Sequence, residues 1–107
     1  MSTVESLSGI PAFNDFVAGP GLRVVEFWAP WCAPCRSLSP TLDKLAASAG
    51  APLVRKVNSD EERAVALSQN VMGLPTLQFY LDGELVRDHS GGINEFGLNK
   101  ILQKLAA

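Results

Sequence analysis

Cys32 and Cys35 are the only thiols in the chain, three positions apart in Trp31-Cys32-Ala33-Pro34-Cys35. Thiols at that spacing form either a redox couple or half of a metal site. Closing so short a loop removes little chain entropy, so the pair is no structural staple. A tetrahedral zinc site needs two further Cys or His ligands. The chain has no other Cys and one His, His89, far along the sequence. Only an ion shared between two chains would find four ligands. The residues favour the redox couple, and no metal is expected.

Such a couple must be held by a helix. Leu38, Leu42, Leu45, Ala46 and Ala49 form one apolar stripe at helical spacing, ending at Gly50 with Pro52 beyond. Cys32 falls at the N-terminus of that helix. Pro34 suits its first turn, whereas Pro40 lies deep inside and is expected to kink it after Ser39. Spacing of i and i+3 puts both sulfurs on one side of the first turn. Cys32, beside unpaired N–H groups at the positive end of the macrodipole, should ionise first and be the exposed, attacking sulfur. Cys35, one turn inside, should be the more buried resolving sulfur. Ala33 and Pro34 bring neither charge nor side-chain donor, which points to a weakly stabilised thiolate and a reducing couple.

Other elements must position this helix. Thr3 to Leu7 reads as a short edge strand, and Ile10, Phe13, Phe16 and Val17 follow helical spacing up to Gly19-Pro20-Gly21. Leu22 to Trp28 is a short, β-rich, nearly continuous apolar run, as in a central strand covered on both faces. Its one acid, Glu26, is the anomaly. Leu53 to Asn58 reads as another strand. Ser59-Asp60-Glu61-Glu62 matches a capping box, with Ser59 as N-cap of a helix through Ala64, Leu67 and Val71. Thr76 to Leu81 and Glu84 to His89 are strands joined by Asp82-Gly83, a strong hairpin signal. A last helix capped by Asn94 buries Leu98, Ile101, Leu102 and Leu105. Early β-α alternation followed by a hairpin predicts an α/β fold with a mixed central sheet and helices on both faces. Met72 and Trp28 are expected in the core and His89 at the surface.

At 107 residues and 47% hydrophobic, the chain suits a single domain spanning 1–107. A net charge of -2, with basic residues scattered, offers no footprint for nucleic acid or anionic membrane. Residues 1–10 lack the basic and apolar segments of a signal peptide, and no apolar run reaches spanning length. These features predict a soluble, cytoplasmic protein, and nothing in them requires more than a monomer.

Phe27-Trp28-Ala29-Pro30-Trp31-Cys32-Ala33-Pro34-Cys35, Pro40 five residues on, Gly73-Leu74-Pro75-Thr76 and Ser90-Gly91-Gly92 together resemble the thioredoxin family. The element order is similar over essentially the whole chain. The resemblance implies the thioredoxin fold and a general protein-disulfide reductase. In that cycle Cys32 attacks a client disulfide and Cys35 resolves the mixed disulfide. No cofactor would be bound, and electrons would come from NADPH through a flavoprotein thioredoxin reductase.

The resemblance also implies roles around the cysteines. Glu26 would relay a proton to Cys35, although the family usually carries Asp there, and its extra methylene shifts the carboxyl by about one C–C bond. Lys56 matches a family lysine that modulates this acid. Pro75 would be a cis proline presenting the Leu74 backbone to clients, with Trp31, Ala33, Pro34, Gly73 and Gly91 completing a mostly apolar docking surface. Ala33 departs from the usual Gly. That departure leaves two alternatives: an oxidoreductase dedicated to one client, oxidation or isomerisation, and a non-catalytic assembly subunit.

Overall fold

The computed structural model describes residues 4–106, arranged in a five-stranded sheet and four helices. The strands are β1 (Glu5–Ser6), β2 (Leu22–Trp28), β3 (Leu53–Asn58), β4 (Thr76–Leu81) and β5 (Glu84–Ser90), and the helices are α1 (Ile10–Val17), α2 (Ala33–Ala47), α3 (Arg63–Ser68) and α4 (Glu95–Ala106). Sheet order is β1-β3-β2-β4-β5. β1, β3 and β2 run parallel, while β4 pairs antiparallel with both β2 and β5. The mixed sheet and the central place of β2 are those the sequence predicts. β1 covers part of the expected Thr3–Leu7 strand, and Thr3 lies outside the described residues.

β2 is central because both of its faces are apolar. Val24 packs in a core with Leu38 and Leu42 of α2, Leu98 and Ile101 of α4, and Val54, Leu77 and Phe79 of the sheet. Val25 and Phe27, on the opposite face, pack with Phe13 and Phe16 of α1, Val65 of α3, Val57 and Tyr80. Phe13 and Phe27 are essentially inaccessible, and full burial of one such ring contributes about 1.5–3 kcal/mol. Alternation along the strand then sets Glu26 and Trp28 on the α2 side with Val24. The acid is thus directed beneath the helix that begins at the cysteines.

α2 continues through Pro40 as one helix and stops at Ala47, short of Gly50. Leu38 and Leu42 are buried and Leu45 and Ala46 flank them, so the stripe holds except at Ala49, which is exposed beyond the helix. The hairpin forms at Asp82-Gly83, both residues having positive φ, 51° and 87°, as a two-residue turn of this type needs. Asn94 caps α4 by accepting from the Gly97 N–H at 2.8 Å.

Three expectations need correction. Ser59 and Glu62 do not form a capping box: α3 begins at Arg63 with no side-chain cap and ends at Ser68, short of Val71. Asn58 instead accepts from the Asp60 and Glu61 N–H groups at 3.0 and 3.4 Å. The Glu62 carboxylate reaches across to α1 and accepts from the Gly9 N–H at 2.8 Å and the Ser8 hydroxyl at 2.9 Å. A tertiary use of the carboxylate has displaced the local one. Met72 is not core but 94% exposed, because it follows the helix in an irregular segment rather than on its inner face. His89 is only partly exposed, and its Nε2 is buried without a hydrogen-bond partner.

Candidate active site

The cysteines lie where the chain leaves β2 and turns into α2. Cys32 is the N-cap residue, extended at φ -87° and ψ 106°, and Cys35 lies in the first turn. The two are joined as a disulfide, with Cα atoms 5.3 Å apart. The Cys35 N–H donates to Cys32 Sγ at 3.3 Å, so an N-terminal helix amide that has no intrahelical acceptor points at this sulfur. The Arg36 guanidinium donates to the Pro30 carbonyl at 2.9 Å and holds the preceding loop against the helix. In this oxidised form Cys32 is buried, contrary to the expected exposure. Cys32 and Cys35 are 4% and 2% exposed, because Ala29, Trp28 and Leu74 close over the disulfide.

Glu26 is 3% exposed, and its Oε2 has no hydrogen-bond partner. It does not reach the surface along the strand. Burial pushes its pKa from 4.5 up to about 7, the positive charge of Lys56 opposes the rise, and the negative charge of Asp43 adds to it. Lys56 is its register neighbour on β3. The Lys56 ammonium stands over the Trp28 ring, 5.1 Å from its centroid.

A cavity of about 90 Å³ is lined by Glu26, Trp28, Cys35, Arg36, Ser39 and Lys56. It brings the carboxyl and the inner cysteine to one space, and its volume admits water. Trp28 lines this space with an indole N–H that has no protein partner. The tryptophan is therefore part of the site's wall as well as its packing.

Around the disulfide, Trp31, Ala33, Pro34 and Gly73 are exposed, Leu74 and Gly91 are half-buried, and Pro75 is buried. The Leu74-Pro75 peptide bond is cis. The Pro75 carbonyl accepts from the Gly91 N–H at 2.8 Å, and the Thr76 hydroxyl donates to the Gly73 carbonyl at 2.6 Å. The first bond ties the two glycine segments together beside the cysteines, and the second closes the turn from Gly73 to Thr76. Trp31 is 68% exposed, and its indole N–H donates to Asp60 at 3.0 Å.

Asp60, Arg36 and Met72 are members of this surrounding that local sequence pattern did not assign to it. Asp60 resembles an ordinary helix-start acid, and only the fold brings it 29 positions back to Trp31. Arg36 carries no signal beyond its place next to Cys35.

The thioredoxin family model matches residues 6–104. A thioredoxin of Coprinus comatus is 31% identical over 106 residues, covering 97% of this chain and 99% of that protein. The chloroplastic M-type thioredoxin of Spinacia oleracea is 35% identical over 87% of this chain, which spans only 52% of the spinach protein. A solved structure of a mutant thioredoxin from Halobacterium salinarum superposes with a TM-score of 0.85 at 31% identity, covering 94% of this chain and 88% of that one. With a redox-active type of cysteine pair at the head of α2 and this match along nearly its whole length, the chain belongs to the thioredoxin family of thiol-disulfide oxidoreductases.

Proposed function

We propose that this chain is a general protein-disulfide reductase. The Cys32 thiolate attacks one sulfur of a client disulfide; the client S–S bond breaks, and its other sulfur leaves as a thiolate that takes up a proton. Cys35 then gives its proton to Glu26 and attacks Cys32 Sγ. The mixed disulfide breaks, the second client thiol departs, and Cys32–Cys35 has supplied two electrons. A flavoprotein reductase using NADPH returns two electrons to the couple, and the chain itself binds no cofactor.

The observation that carries this reading is the Cys32–Cys35 pair at the α2 N-terminus, of which Cys35 lines a cavity with a buried acid whose pKa lies at about 7. An acid poised near the working pH exchanges protons in both directions. Lys56 restrains the pKa of that acid. Trp31, Ala33, Pro34, Gly73, Leu74, Pro75 and Gly91 form the docking surface. Among the described residues the Leu74 backbone makes no hydrogen bond, which leaves it free for an extended client segment.

We place this activity in the cytoplasm and in a monomer. A chain whose only thiols are a catalytic pair suits a compartment that keeps thiols reduced. Among the described residues no helix is long and apolar enough to cross a membrane. Insulin reduction with NADPH and a thioredoxin reductase tests the function: turnover is expected, and Cys32→Ser should abolish it. No turnover by the unaltered chain would overturn the reading.

Ala33 in the motif favours one second reading, a dedicated oxidase or isomerase. Equilibration against glutathione separates the two: a couple found mostly oxidised at cytosolic poise supports the second.

A further inference from the structure

We propose that the cleft between β5 and α4 is a binding site for a small phosphate-bearing molecule. Its cavity measures about 330 Å³ and is lined by Arg87, His89, Ile93, Lys100, Ile101 and Lys104, with Gly97 in the first turn of α4. None of these residues belongs to the cysteine site, and the proposal is independent of the chain's redox activity.

The elements bring the cations together. Arg87 and His89 alternate onto one face of β5, and Gly97, Lys100, Ile101 and Lys104 follow i, i+3, i+4, i+7 along one side of α4. Among the described residues no acid lines the cavity, in a chain that carries a net charge of -2. Three cations gathered without a counter-charge repel one another, and an anion between them relieves that repulsion. The neighbouring acids are engaged elsewhere: Asp88 accepts from Gln78 at 3.2 Å, and Glu95 pairs with Lys44 at 3.0 Å. Neither Arg87 nor Lys104 has an ion-pair partner among the described residues. Lys100 rests over the Phe96 ring at 5.0 Å, at the cleft's margin. His89 contributes a buried Nε2 with no hydrogen-bond partner.

The ligand class follows from the lining. A guanidinium with ammonium groups on the facing element suits a phosphate, whose oxygens accept from several directions at once. Ile93 and Ile101 form an apolar floor, so the phosphate should carry an apolar body. A Cβ at Gly97 would stand 2.9 Å from Ile93 Cγ1; glycine therefore lets Ile93 lie against the helix and shape that floor. The volume is at the small end of ligand pockets, roughly 300–1,000 Å³.

The test is a ¹H–¹⁵N titration of the oxidised full chain with phenyl phosphate and, separately, inorganic phosphate, at constant ionic strength. Saturable shifts are expected at Arg87, His89, Gly97, Lys100 and Lys104, with phenyl phosphate the tighter ligand. An Arg87→Gln, Lys104→Gln double variant should bind phenyl phosphate at least about tenfold more weakly while reducing insulin at the unaltered rate. Arg63→Gln, on exposed α3, should bind as the parent does. Shifts that fail to saturate, that spread over the other lysines, or that survive the double substitution would overturn the site. Equal affinity for the two probes would overturn the apolar floor and with it the ligand class.

Discussion

Glu26 and Lys56 are register neighbours on the parallel strands β2 and β3, yet they do not close an ion pair. Lys56 places its ammonium over Trp28, and the carboxyl is left with an oxygen that has no protein partner in the cavity it shares with Cys35. Its pKa is accordingly about 7 rather than depressed. A full pair would hold the acid ionised throughout the working range and remove its ability to take up a proton. The lysine thus limits the rise without cancelling it.

Between about pH 4.5 and 7, stability should depend on pH through this group. Raising a carboxyl pKa from 4.5 to about 7 in the folded state corresponds to roughly 3 kcal/mol. The folded chain binds this proton more tightly than the unfolded one. Stability therefore falls as pH rises from about 4.5 to about 7 and levels above that. Glu26→Gln removes the effect, so its gain over the parent in urea melts of the oxidised protein should grow across that window, reaching about 2–3 kcal/mol at pH 8. A gap that does not change with pH would contradict the burial cost.

The same acid should be visible in one kinetic step. In stopped-flow measurements Glu26→Gln should slow resolution of the mixed disulfide by about a hundredfold, the low end of what general-base catalysis contributes. Its formation should change little, because only Cys35 needs the proton acceptor. In the parent the resolution rate should drop as pH falls through about 7, and the substitution should erase that inflection. Equal slowing of both steps would count against the relay.

Trp31 offers a largely exposed ring that Asp60 holds in place. Trp31→Ala should raise KM for insulin by about tenfold, as loss of an aromatic anchor does, with kcat and the melting temperature nearly unchanged. Asp60→Ala, which frees the ring without removing it, should give a smaller rise. A fall in kcat alone would assign Trp31 to the chemistry instead.

Glu62 serves α1 rather than its own helix. Glu62→Ala strips the acceptor from the Gly9 N–H and the Ser8 hydroxyl, and should cost about 1–2 kcal/mol in urea melts. Glu62→Gln keeps one acceptor oxygen and should recover much of this. If Ser59→Ala destabilised the chain as much as Glu62→Ala, the local capping box would be restored.

Residues whose role is decided within a few positions were legible in the sequence. The β2 run, the Asp82-Gly83 turn, the Asn94 cap and Cys32 at a helix start all follow from local pattern. The site could be read as far as Cys32, Cys35 and the oddity of Glu26 inside an apolar strand. What local pattern could not supply was long-range use of a polar group. Glu62 satisfies a donor 53 positions away, and Asp60 one 29 positions away. Met72 failed for a related reason: hydrophobicity predicts burial only where an element gives the side chain an inner face, and α3 ends before it. The burial of Cys32 depends on Leu74, brought over it by a segment distant in the chain.

The place of β5 at the end of the sheet has a consequence for how these molecules behave together. Its outer edge presents seven residues of backbone with no strand beyond among the described residues, the surface by which chains add edge to edge. Leu85 and Val86 are exposed there, at 43% and 39%. Glu84, Arg87 and Asp88 interrupt this apolar stretch with charge, and the irregularity opposite Phe79 and Tyr80 disturbs its flatness. These charges act as gatekeepers against aggregation in concentrated solution, a duty set by the outermost strand and separate from anything the cysteines do.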